Sequence, residues 1–169
     1  VSKEPKYQIL APYKKIELRI YEPFLVAEVE GFGNRKEGIR SGFKILAHYL
    51  FGGNSASENL PMSIPVTQQK NGNGWKIRFM LSHATDLTQL PKPNDSVVKL
   101  ISVPQKKFCV IRFSGTPDDK KIEKATHQLR EFVDLHHLKI YGEPIFAFYN
   151  APWTIPFLRR NEVMFELLN

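Results

Sequence analysis

The chain has 169 residues, 42% of them apolar and 24% charged, the balance of a soluble globular domain that can bury a core without disulfides or metals. A single cysteine excludes an internal disulfide, and no run reaches the roughly 18 apolar residues of a membrane span. The net charge of +7 favours anionic ligands or surfaces, but the charges are dispersed in pairs such as Lys14-Lys15, Lys106-Lys107 and Arg159-Arg160 with no nucleic-acid motif, so no nucleic acid is expected.

In chain order, Ile16-Glu17-Leu18-Arg19-Ile20 alternates as a strand, and a turn at Glu22-Pro23 leads to a second strand over Phe24–Val29. Gly31-Phe32-Gly33 breaks it. Asn34 with Glu37 three residues later predicts a capped helix that runs to about Phe51 and stops at Gly52-Gly53. Its apolar stripe is expected to be Ile39, Phe43, Leu46 and Leu50. Strands near Ser63–Gln69 and Trp75–Leu81 flank the turn Asn71-Gly72-Asn73-Gly74. Ala84–Asp95 reads as a connector with a helical turn at Thr85–Leu90, kept extended afterwards by Pro91 and Pro93.

A second copy of the same pattern begins near Val97. Strands over Val97–Val103 and Lys107–Phe113 flank Pro104-Gln105. Thr116 as N-cap and Pro117 at the first helical position predict a helix to about His136, with the stripe Ile122, Ala125, Leu129, Phe132 and Val133. Strands near Ile145–Tyr149 and Val163–Leu167 close the copy. The matched offsets Val26…Gly31 and Val110…Gly115 predict a duplication, with pseudo-repeats about 13–82 and 97–168 in a single domain over 1–169. The expected fold is α+β: duplicated β-hairpin–helix–β-hairpin units forming a curved antiparallel sheet or distorted barrel with two amphipathic helices. Glu28 and Arg112 occupy equivalent positions of the two copies, which raises the question of a pair between them.

Motifs for chemistry are sparse. Gly31-Phe32-Gly33 and Gly52-Gly53 fit turns and no phosphate-binding loop, and there is no G-x-S-x-G elbow. Glu28, Glu123, Glu143 and Glu162 show no acid–base pairing. No catalytic residue is assigned, and a hydrolytic or detoxifying activity ranks last among the function classes. Cys109 lies in an apolar strand, as a buried thiol does. His48, His83, His127, His136 and His137 lack zinc-ligand spacing; His127 is expected in solvent, and His136-His137 suits a helix C-terminus. Arg40, Lys44 and His48 recur every four residues and share one side of the first helix, which by periodicity alone is a solvated polar face.

The C-terminal run Tyr149-Asn150-Ala151-Pro152-Trp153-Thr154-Ile155-Pro156-Phe157-Leu158-Arg159-Arg160-Asn161-Glu162-Val163 is stiffened by prolines and loaded with apolar groups, so it covers a core or walls a ligand site. This run resembles the C-terminal signature of the SOUL/heme-binding protein family. Tyr21–Val29, Gly42–Asn54, Pro61–Thr67 and Leu90–Asp95 are similar to further blocks of that family, in its order and across nearly the whole chain. The resemblance implies a pseudo-symmetric curved-sheet fold, also similar to bacterial effector-binding domains, and non-enzymatic binding of heme or a related tetrapyrrole as carrier, buffer or sensor.

In heme-binding members the porphyrin is thought to lie against the first helix, under the C-terminal loop. Carried over, this implicates Arg40, Phe43, Lys44, Ala47 and His48 on the helix and Trp153, Ile155, Pro156 and Phe157 in the loop. Arg40 and Lys44 would meet carboxylates, Ala47 would leave room for the ring, and His48 is a candidate iron ligand. Ile20 stands where some members carry a His, which removes that route to iron, and apolar binding without protein ligation is equally open. The alternative function is an effector-type domain for another small amphipathic ligand or a protein partner. A monomer is expected, cytoplasmic or periplasmic if the source is bacterial. Val1 in place of Met leaves a removed signal or anchor, or a shortened start, as readings.

Overall fold

The computed structural model describes residues 3–150 and 154–168. Trp153 therefore lies outside the described residues. The fold is α+β, with two α-helices and nine antiparallel strands among the described residues, not closed into a barrel. The strands are β1 (Tyr7–Tyr13), β2 (Ile16–Tyr21), β3 (Phe24–Gly31), β4 (Val66–Asn71), β5 (Gly74–Met80), β6 (Lys99–Val103), β7 (Lys106–Phe113), β8 (Ile140–Phe148) and β9 (Asn161–Leu167). The helices are α1 (Arg35–Leu50) and α2 (Asp119–Leu135).

The chain forms two compact units, one of residues 1–5 and 23–104, the other of 6–22 and 105–169. In the first, the strands run β4-β5-β3-β6; in the second, β1-β2-β7-β9-β8. The element order is duplicated as expected, with one correction: the leading hairpin expected in each copy does not form, and neither β2 and β3 nor β6 and β7 pair with each other. The leading strand of each copy pairs with the second strand of the other copy: β2 lies against β7, from Ile16↔Ile111 to Tyr21↔Lys106, and β3 against β6, from Phe24↔Val103 to Glu28↔Lys99. The trailing strands do form hairpins, β4–β5 and β8–β9. Sequence-local turn signals specify the hairpins, whereas alternation in β2 and β3 leaves the partner open.

β1 escaped the sequence reading. Its alternation is broken by a register shift between Ile9 and Ala11 and by Pro12, both tolerated because β1 pairs on one side with β2 in its unit.

In the first unit, Leu25, Ala27 and Val29 of β3 and Ile77 and Phe79 of β5 pack against Leu46, Tyr49 and Leu50 of α1. The expected α1 stripe needs correction. Gly38, Gly42, Leu46, Tyr49 and Leu50 are buried, while Phe43 is 41% exposed and touches the core through an edge contact with Phe79 at 5.0 Å. Leu46 and Leu50 are buried as expected, but glycines carry no apolar side chain, so the Gly38 and Gly42 part of the inward face was invisible to a hydrophobicity count. They bring the helix close to the sheet: a Cβ on Gly42 would lie 2.6 Å from Ile77 Cγ1, and one on Gly31 only 2.2 Å from the Gly38 carbonyl oxygen.

The α1 cap is as read: Asn34 Oδ1 accepts from Glu37 N at 2.9 Å, and the Glu37 carboxylate accepts from Asn34 N at 3.0 Å. Asn34→Ala should lower stability by about 1 kcal/mol, seen as a lower urea midpoint with an unchanged slope.

In the second unit, α2 packs Ala125, Leu129 and Val133 on Cys109, Ile111, Val163 and Phe165. Burial raises the Cys109 thiol to about 12, as an inert core sulfur. The N-cap is Asp118, not Thr116: its carboxylate accepts from Lys121 N at 2.8 Å, while the Thr116 carbonyl only closes a turn with Asp118 N. His127 is in solvent beside Glu131, as expected. Glu28 bonds its cross-strand neighbour Arg78 at 2.8 Å.

Candidate functional site

The solvent-facing side of α1 interleaves two rows. Lys36, Arg40, Lys44 and His48 are exposed at four-residue spacing. Ile39, Phe43, Ala47 and Phe51 form a second row, with Ile39 and Ala47 half-buried and Phe51 64% exposed. From Lys36 to Phe51 the face runs about 22 Å along the axis. Among the described residues neither Arg40 nor Lys44 is engaged in an ion pair or hydrogen bond, so both guanidinium and ammonium groups are open to an anion.

The end of this face is pinned. Asn54 is buried and donates from Nδ2 to the carbonyls of Tyr49 and Glu58, while its Oδ1 accepts from the Ala56 and Glu58 amides. Tyr49 donates to the Pro91 carbonyl at 2.8 Å, and burial raises its hydroxyl to about 12. His48 folds onto Gly53: a Cβ there would stand 2.6 Å from Nε2.

The C-terminal loop belongs to the second unit. Ile155 and Phe157 are exposed, Phe157 by 73%, so these two do not cover the core. Pro156–Leu158 make one 3₁₀ turn. The base is held by hydrogen bonds: Arg159 Nε donates to the Thr154 carbonyl at 2.9 Å, Gly115 N to the Pro156 carbonyl at 2.8 Å, and Asn161 Nδ2 to the Gly115 carbonyl at 2.8 Å.

Below that loop base lies a buried polar network. Arg19 Nη1 and Nη2 donate to the two Glu162 oxygens at 2.9 and 2.8 Å. Arg19 is 2% exposed and Glu162 1%. Tyr149 donates to Glu162 Oε1 at 2.6 Å and Arg160 Nε to Oε2 at 3.1 Å. Arg19 also donates to Glu17 at 2.7 Å and to the Tyr21 hydroxyl at 3.0 Å. Burial alone would raise the Glu162 carboxyl, but the hydrogen bonds and charge of Arg19, then Arg160 and Tyr149, bring it below the usual range. Burial pushes Tyr21 up to about 12 and, with the Glu162 charge, Tyr149 well above its ordinary value. Every Glu162 lone pair in use is already committed, so this cluster holds structure instead of offering a reactive acid or base.

A family model described as SOUL heme-binding protein matches residues 2–166. The chain belongs to the SOUL family. No curated protein matches it significantly. Solved structures resemble it in fold at low identity. The C-terminal domain of EcmrR superposes with a TM-score of 0.72 at 12% identity, over 96% of this chain and 98% of that one. A hydrolase from Listeria innocua gives 0.62 at 12%, over 94% of each chain. SAV2435 bound to tetraphenylphosphonium gives 0.50 at 10%, over 97% of this chain and 94% of that one.

For this SOUL member, the structure brings Arg40, Phe43, Lys44, Ala47 and His48 onto one accessible helix face. Ile155, Pro156 and Phe157 stand together on the loop tip of the second unit. Sequence reasoning missed Lys36 and Phe51, which extend the α1 face by a turn at each end. It also missed the Arg19–Glu162 pair. A signal was present: Glu17, Arg19 and Tyr21 alternate onto one face of β2, polar throughout, opposite the apolar Ile16, Leu18 and Ile20. No helix among the described residues is long and apolar enough to cross a membrane.

Proposed function

We propose that this SOUL member binds heme or a related tetrapyrrole without chemistry of its own, as a carrier, buffer or sensor. The observation that supports the reading best is the open α1 face. Arg40 and Lys44, free of ion pairs among the described residues, lie beside an exposed Phe43 ring and a small Ala47. Such a surface suits a flat apolar ring that carries carboxylates. Ile155, Pro156 and Phe157, together with Trp153, are the second set of residues assigned to the ligand. Heme, when bound, supplies an iron that can accept an imidazole. His48, exposed on α1, is the residue that would provide it.

An effector-type reading draws on the EcmrR domain and the tetraphenylphosphonium-bound SAV2435. Ligand charge separates the two. The basic α1 face favours an anion and repels a lipophilic cation.

Hemin titration followed at the Soret band should saturate, and tetraphenylphosphonium should not compete. Arg40→Gln with Lys44→Gln should weaken hemin binding about fivefold to tenfold at low salt, with a smaller difference at high salt because exposed charges are screened. His48→Ala should shift the Soret band if the imidazole meets iron; an unchanged spectrum and affinity would remove His48 from the site and leave apolar binding. Phe157→Ala with Trp153→Ala should weaken binding. Absence of saturable hemin binding in the wild type, or strong tetraphenylphosphonium binding in its place, would overturn the tetrapyrrole reading.

A further inference from the structure

We infer that the solvent face of α1 docks on anionic phospholipid bilayers. This goes beyond tetrapyrrole binding and does not depend on it. Four observations meet on one helix. Lys36, Arg40, Lys44 and His48 form an exposed row along its length. Phe43 and Phe51 are 41% and 64% exposed; Phe43 lies seven residues after Lys36 and three after Arg40, and Phe51 seven after Lys44 and three after His48, so aromatic rings are interleaved with the cations. Glu37 is the one acid in the helix, and its carboxylate is occupied by the Asn34 cap. The opposite side is fixed to the sheet through Gly38, Gly42, Leu46 and Tyr49, so the face is presented rigidly and not melted to expose it.

Two exposed phenylalanines interleaved with a row of cations on one helix face are more than the single scattered apolar groups a solvent-facing helix ordinarily shows. An anionic bilayer matches both components. Its surface potential attracts the basic row, and Phe side chains insert at the headgroup boundary. Arginine and lysine reach phosphates from apolar stems that lie along the interface. The chain's net charge of +7 brings the molecule to such a surface before the helix docks. An acidic protein would satisfy the cations, but a single flat partner face matched to both Phe43 and Phe51 has no support in the charge pattern, which repeats evenly along the helix.

The test is co-sedimentation of tetrapyrrole-free full chain with sucrose-loaded vesicles, either phosphatidylcholine alone or with about a third phosphatidylserine. Binding is expected to the anionic vesicles alone, falling as salt rises. Lys36→Gln, Arg40→Gln and Lys44→Gln together should reduce the partition coefficient by tenfold or more. Lys107→Gln, Lys120→Gln and Lys124→Gln, which remove the same charge from exposed positions elsewhere, should reduce it by less than threefold. Phe43→Ser with Phe51→Ser should weaken binding at unchanged net charge, and circular dichroism should show both variant helices intact. Equal losses in the two charge-matched triple variants would mean adhesion by net charge alone and overturn the proposal. So would absent binding to anionic vesicles at low salt, or Phe variants that bind as the wild type does. Hemin titration in lipid-free solution reads the tetrapyrrole site separately, so failure of either reading leaves the other standing on its own result.

Discussion

Glu162→Ala should destabilise the protein by about 3–5 kcal/mol, the cost of leaving a buried charge without its partner. Arg19 is almost wholly enclosed, and two of its guanidinium nitrogens are committed to Glu162 at 2.9 and 2.8 Å. Removal of the carboxylate also strips acceptors from Tyr149 and Arg160. Glu17 remains as a second, half-exposed partner of Arg19, which keeps the loss from growing further. Urea unfolding followed by circular dichroism would measure it. Arg19→Ala should be comparably severe, and the double variant should cost less than the two singles added together, because neither charge is then stranded. A loss below about 1 kcal/mol for Glu162→Ala would mean that the pair is solvated and the network is not a structural clamp.

The same pair predicts acid sensitivity. The Glu162 carboxyl titrates lower in the folded protein than in the unfolded chain, since Arg19 and Arg160 outweigh its burial. The unfolded chain therefore takes up protons first as pH falls. The stabilisation from Glu162 is complete above the ordinary carboxylate range near pH 4.5 and is lost as pH drops through the lowered folded value. Midpoint temperatures measured between pH 3 and pH 7 should fall steeply in the wild type below about pH 4.5. Glu162→Gln should start lower and show a shallower acid limb.

The second large effect is expected at Gly31. An added methyl would sit 2.2 Å from the Gly38 carbonyl oxygen and 2.9 Å from its Cα. These are backbone atoms of α1, so no side-chain rotation relieves the contact and the helix must lift from β3. Gly31→Ala should cost about 3 kcal/mol, at the upper end of overpacking. Gly42→Ala meets Ile77 Cγ1 at 2.6 Å and Cβ at 2.9 Å, and some of that strain relaxes through the side chain, so its cost should be smaller. Lys36→Ala on the exposed side of the same helix should change stability by less than about 0.5 kcal/mol. Gly38→Ala presses on the Trp75 ring and should alter its fluorescence even where stability is retained. Gly31→Ala with native stability would show that α1 does not need this close approach.

Much of the architecture was legible in local signals. The Asn34–Glu37 capping box, the Asn71–Gly74 turn and the apolar period of α2 each act over a few residues, so the chain states them directly. Arg40, Lys44 and His48 were likewise placed on one side of a helix by their spacing, and the five family blocks by their order. Three things were decided only in the folded molecule. The partners of β2 and β3 are set by packing between residues roughly 80 positions apart, and alternation within a strand says nothing of that choice. The first half of the inward face of α1 is made by Gly38 and Gly42, whose contribution is the absence of a side chain, so Phe43 reads as core in the sequence and stands 41% exposed in space. Arg19 and Glu162 are 143 residues apart, and they meet only because β2 and β9 flank the same strand, β7, so the two side chains reach each other across it. Residue chemistry along the chain determines the elements and their amphipathic faces; tertiary packing determines which face is buried and which charges meet, because those depend on close approach between distant segments.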